Sequence, residues 1–252
     1  MWASEHKVRG VSGIAQDAAP ASPSSWRKPL AIALLTTLVA TLLAYALPES
    51  YAATGVGLTF LFATYWAALR RDSDGARRYA LSLGGILDPE PIDLGRIASS
   101  ALRALAWAAL LSLLIFPAFW LGFVLWWRPG QAFLAAPASR LIDEMLGQLL
   151  VIALPEEAFF RGYLQTALDA VWRPRVRVLG AWVGPGLFVA SAIFAVGHVL
   201  TEVHPNRLAV FFPALVFGWL RARTGGIGAA LAFHAACNVF ASFLVRSYGL
   251  AP

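Results

Sequence analysis

The sequence predicts an all-α protein: a polytopic transmembrane helical bundle of about seven spans, with a cytoplasmic N-terminus. Three observations lead there. Of 252 residues, 59% are hydrophobic and only 13% charged, which is more apolar than soluble domains usually are. The apolar residues fall in runs long enough to cross a bilayer, separated by polar connections. The basic residues gather in alternate connections, at Arg27/Lys28, Arg70/Arg71/Arg77/Arg78, Arg173/Arg175/Arg177 and Arg221/Arg223. The opposite connections hold fewer positives, at Arg128/Arg140, Arg207 and Arg246. Positive loops stay inside, so the N-terminus is assigned to the cytoplasm. Orientation also accounts for the net charge of +6, and no nucleic-acid partner is called for. The partner implied is the lipid bilayer itself.

Residues 1–28 mix Ala, Ser, Pro, Gly and charges without apolar periodicity and read as a mobile cytoplasmic tail. The apolar runs begin too late for this tail to be a secretory signal. Residues 29–252 form the membrane-embedded helical domain. The first span is about Leu30–Leu47, and Pro48-Glu49-Ser50 turns the chain into a second, Tyr51–Leu69. Arg70 to Arg96 is polar and reads as a loop with a short surface helix, and Asp93 can cap the next helix. The third span covers Leu102–Trp127, with Trp126-Trp127-Arg128 as an interfacial marker and Pro129-Gly130 as the break. The fourth is about Leu141–Leu164, the fifth lies within Leu179–Val203, and the sixth is Leu208–Leu220. Ile227–Val245, after Gly225-Gly226, is the seventh. No internal repeat is evident.

The polar residues inside these spans carry the chemistry. Glu156, Glu157 and Arg161 sit in an otherwise apolar stretch, where each charge costs about 2.5–3.5 kcal/mol to insert and is kept for action or pairing. Glu157 and Arg161 are four apart on one helix face and suit an ion pair. Glu156 is turned roughly 100° away, which leaves it free for chemistry. Pro155 removes a helical hydrogen bond just before them. The fifth span adds His198, and the seventh adds His234 and Asn238 on one face, among small residues that admit close neighbours. Snorkelling charges or singly bonded core histidines are the bland alternative. Polar groups on three separate spans are better explained by one shared buried site.

Depth tests that idea. At about 1.5 Å per residue, Glu156 lies about 13 Å and His234 about 11 Å from the cytoplasmic ends of their spans. His198 comes within about 18 Å only if its span starts after Gly186, so residues 179–186 are predicted not to cross the bilayer. The three groups then meet in the cytoplasmic half.

A buried carboxylate with an imidazole can hold and deprotonate water, and a second imidazole with a carboxamide can donate to an oxyanion. Glu156, His198 and His234, with Asn238 nearby, also have the ligand types of a zinc site. Neither His-x-x-x-His nor His-Glu-x-x-His occurs, so no metal or other cofactor is assigned. No evident nucleophile motif flanks the histidines, and the single cysteine, Cys237, points about 100° from Asn238, which disfavours covalent catalysis.

Glu156-Glu157-x-x-x-Arg161, Phe194-x-x-x-His198 and His234-x-x-x-Asn238, in this order on three hydrophobic segments, resemble the three motifs of the CPBP group. That group includes CAAX prenyl endopeptidases of the Rce1 type and bacterial bacteriocin-processing or self-immunity proteins. The resemblance covers about residues 141–245, the expected catalytic core. It implies a glutamate-dependent intramembrane endopeptidase in which Glu156 and His198 activate water while His234 and Asn238 stabilise the oxyanion. Glu157, Arg161 and Phe194 would support the site. The expected partner is a membrane-anchored protein or peptide substrate. The Ala/Arg/Leu-rich chain looks bacterial, which implies the inner membrane. Some bacterial relatives resemble myxosortase-like sorting enzymes that cleave C-terminal membrane anchors. A non-proteolytic scaffold or self-immunity protein is the rival. A proton-relay transporter is disfavoured because no repeat of broken helices is evident.

Overall fold

A computed structural model describes residues 25–250, apart from 138 and 140; most of the expected tail lies outside the described residues. Helices dominate. In chain order they are α1 (Arg27–Ala46), α2 (Glu49–Leu69), α3 (Leu94–Trp127), α4 (141–171), α5 (Pro185–Thr201), α6 (Phe211–Thr224) and α7 (Gly228–Ser247). They correspond one for one to the seven expected spans. Of these, α1, α2, α3 and α7 are long and apolar enough to cross a membrane by length and composition. The 17-residue α5 and 14-residue α6 are shorter, and α4 carries the charges. The architecture is a multi-pass helical bundle.

The helices differ in what covers them. Along its most apolar window α3 is only 11% buried, with Leu102, Leu105, Leu113 and Leu121 facing outward as lipid-facing residues do. By contrast, all eight residues from Ala158 to Gln165 of α4 are buried by protein, which makes α4 the axis of the bundle. That is why α4 can hold charges that a lipid-facing helix could not.

α4 is also irregular. π-helical stretches at Gln148–Ala153 and Ala158–Gln165 flank one α-turn, Leu154–Glu157. Pro155 explains the local weakness, because it has no N–H to donate to the preceding turn. The wide turns occur on either side, as is common at functional sites. Gly57 lets α2 approach this bend: a Cβ there would lie 2.7 Å from the Val151 carbonyl oxygen.

The polar connection between α2 and α3 buttresses α4. It contains a single helical turn, Gly75–Arg78, and a 3-10 turn, Leu83–Gly85. Leu81 packs so closely that a Cβ on Gly162 would come within van der Waals overlap of it. Asp88 anchors the loop between Arg77, at 3.3 Å, and Arg96, at 3.4 Å. A hydrogen bond from Ser82 and these two guanidinium groups hold the Asp88 carboxyl below its usual range. Its contribution is therefore present above the ordinary aspartate range and is lost only as pH falls below it. Asp93 caps α3, its carboxylate accepting from the Arg96 backbone N–H at 3.1 Å.

Residues 179–186 do not cross the bundle. They belong mainly to a hairpin of β1 (Val176–Val178) and β2 (Ala181–Val183), with Val176 opposite Val183, and α5 starts only at Pro185. One expected depth changes. α4 continues past Leu164 to Val171, which places Glu156 about 22 Å from that end rather than about 13 Å.

Candidate active site

The ion pair anticipated from i,i+4 spacing is present: Arg161 Nη1 lies 3.0 Å from Glu157 Oε1, with both side chains almost wholly buried. Arg161 also donates from Nη2 to the Ala214 carbonyl on α6, at 3.3 Å. Its guanidinium lies 4.3 Å from the Phe194 ring centroid and 5.2 Å from that of Phe217, so aromatic faces complete its surroundings. Phe194 further packs its ring against His198 at 4.4 Å and His234 at 5.9 Å. It is the apolar hub of the cluster.

His234 bridges the two glutamates. Its Nδ1 lies 2.9 Å from Glu157 Oε1, and its Nε2 lies 3.6 Å from Glu156 Oε2. A carboxylate oxygen only accepts, so Nδ1 carries the hydrogen and Glu157 fixes the ring's orientation. Phe217 stacks on the same imidazole with 4.6 Å between centroids. Helix spacing pairs Glu157 with Arg161 alone; the structure adds His234 as a second partner.

His198 is held differently. Its Nδ1 donates to the carbonyl of Phe194, one turn earlier, at 2.9 Å, which leaves Nε2 as an acceptor in the neutral ring. Asn238 donates from Nδ2 to Gln148 Oε1 on α4 at 2.8 Å. Gln148 was not singled out by spacing, although a lone carboxamide in a run of leucines is the signal that could have found it. Sequence order thus brings Glu156, Glu157, Arg161, Phe194 and His234 into one contact network. His198 joins it through Phe194, and Asn238 lies one turn beyond His234 on α7.

A cavity of about 300 Å³ gives the network an open side. Glu156 and His198 both line it, while α1 supplies Thr37 and Thr41. Glu156 Oε2 and the two threonine hydroxyls are buried without a hydrogen-bond partner among the described residues. From there the cavity extends to Ala44, Ala52, Thr201 and Arg207. Ala44 is near the end of α1 remote from Arg27, and Ala52 is near the end of α2 remote from Arg70. The cavity therefore extends toward the end of the bundle away from the arginine-rich connections. Among the described residues, no three His, Cys, Asp or Glu side chains are arranged to hold a metal ion.

Residues 138–240 match the family model described as type II CAAX prenyl endopeptidase Rce1-like. Over that stretch the chain is similar to the Rce1-like family. The match takes in every residue of the network just described and leaves α1, α2 and α3 outside it. No curated protein and no solved structure matches the chain. The family it resembles there is one of CAAX-type peptide hydrolases, and the similarity supports that reaction class at family level only.

Proposed function

We propose that the chain is an intramembrane endopeptidase in which Glu156 activates water to hydrolyse a peptide bond of a membrane-associated protein. The observation that supports this best is the unpartnered Oε2 of Glu156, in a cavity and 3.6 Å from an imidazole nitrogen. Water there gives one proton to Glu156, while His198 Nε2 accepts from its second hydrogen and orients it. The water oxygen adds to the carbonyl carbon. Glu156 passes the proton to His234 Nε2, and Glu157 at Nδ1 stabilises the imidazolium so formed. That cation and the second N–H of the Asn238 amide donate to the oxyanion. Collapse of the adduct breaks the C–N bond, and the leaving amine takes the proton. The intact polar set argues against a scaffold or self-immunity protein that retains only the fold.

In this reading no metal takes part, so strong chelation should leave cleavage by the purified enzyme intact. Loss on chelation with recovery on added zinc would favour ligation by Glu156, His198 and His234 instead.

The cavity's direction favours one substrate class, proteins with C-terminal membrane anchors cleaved from the outer side. With the arginine-rich connections inside, the end of the cavity lined by Ala44, Ala52 and Thr201 lies toward the outer side. A reporter fused near Ser73 should then be cytoplasmic and one near Pro205 external. The reverse pattern would overturn both the orientation and this substrate class.

A further inference from the structure

We propose a second site, a cleft between α3, α6 and α7 that binds the phosphate of an anionic lipid headgroup. The cleft has a volume of about 280 Å³ and is lined by Ser100, Arg103 and Trp107 of α3, Arg223 of α6 and Gly228 of α7. Neither Arg103 nor Arg223 meets a carboxylate at ion-pair distance among the described residues. Arg103 donates from Nε to the Ser99 carbonyl at 3.2 Å, which orients the guanidinium and leaves its terminal N–H groups free of that bond. The Arg223 guanidinium lies 5.5 Å from the Trp107 ring centroid, so its position is also defined. Two guanidinium groups fixed at one concavity, without internal counter-charge, suit an oxyanion that each can bind through two N–H groups.

Two further features add to the charge. Ile227 at the start of α7 offers no side-chain cap, and Gly228 at the cleft carries no side chain to cover the first-turn N–H groups. The partial positive charge of that end adds to the two arginines. The surroundings then point to a lipid as the source of the phosphate. α3, which lines the cleft with Ala104 and Trp107, is only 11% buried along its most apolar window, so surface for acyl chains continues from the cleft along that helix. The cleft also lies at the arginine-rich end of the bundle, next to the Arg221/Arg223 connection, where a polar headgroup belongs. Basic pockets between membrane helices at this depth recognise anionic headgroups.

The test uses the full-length protein reconstituted in phosphatidylcholine vesicles with and without phosphatidylglycerol, and reads retained lipid after detergent extraction. The parent should retain phosphatidylglycerol over phosphatidylcholine. In Arg103→Gln/Arg223→Gln that preference should fall by about 10-fold or more, with the melting temperature unchanged. Arg103→Lys/Arg223→Lys, which keeps the charge but loses the planar fork, should be intermediate. Arg70→Gln/Arg71→Gln, on the same end of the bundle, should retain lipid like the parent. Inorganic phosphate at millimolar concentration should leave lipid retention unchanged, and displacement by it would assign the cleft to a free ion instead. Equal retention by the Arg103/Arg223 double variant and the parent would overturn the site. So would equal loss in the Arg70/Arg71 variant, which would mean diffuse surface attraction. If the double variant melts early, the lysine variant decides, and parent-like retention in it would show that planar recognition is absent.

Discussion

Glu157→Ala is expected to destabilise the folded protein by about 3–5 kcal/mol, because it leaves a buried arginine without its counter-charge. Arg161 and Glu157 are 1% and 0% exposed, so solvent cannot compensate on either side. The loss does not stop at the pair. Glu157 also orients His234 from 2.9 Å, and the ring then keeps only the longer 3.6 Å approach to Glu156 and its packing against Phe217 and Phe194. Cleavage should therefore fall together with the yield of folded protein. Glu157→Gln preserves shape and an acceptor oxygen and should be milder in both. The check is melting of detergent-solubilised protein beside the parent; an alanine variant that melts like the parent would show that the pair does not hold the bundle.

Glu156→Gln is expected to separate activity from stability in the other direction. Its carboxylate is 12% exposed and, apart from His234 at 3.6 Å, unpaired. The amide fills the same space and can hydrogen-bond, but it cannot take a proton from water. General-base catalysis contributes about 10²–10⁴-fold, so cleavage should fall at least that far. Folding should be unaffected or improved, since a poorly compensated buried charge has gone.

Much of this network can be read from spacing. Four-residue intervals on single helices give the Glu157–Arg161 pair and the shared face of His234 and Asn238. Depth gives the displacement of residues 179–186, which become a hairpin. Partners across helices are harder, because periodicity says which face a side chain occupies and not which residue stands opposite. His234 meeting Glu157 is of that kind.

One stripe was legible and informative. Glu157, Arg161, Gln165 and Asp169 recur every four residues along α4. Arg161 reaches the Ala214 carbonyl, Gln165 the Gly218 carbonyl at 3.1 Å and Asp169 the Arg221 guanidinium at 3.4 Å, so the stripe is the seam with α6. It also explains why α4 runs on to Val171, since its polar face remains partnered past Leu164. The cavity wall was hidden for the opposite reason. Thr37 and Thr41 are ordinary residues in an apolar helix, and only the packing of α1 on α5 brings them beside Glu156.

The central claim is that Glu156 carries a cleavage reaction on membrane proteins. The most direct measurement compares the termini of membrane proteins in cells lacking this chain, in cells supplied with the parent and in cells supplied with Glu156→Gln at equal level. The account predicts one set of proteins left unprocessed both in the deletion and with Glu156→Gln, and processed with the parent. Restoration of processing by Glu156→Gln would contradict it, and would leave the fold rather than the carboxylate as what the cell uses.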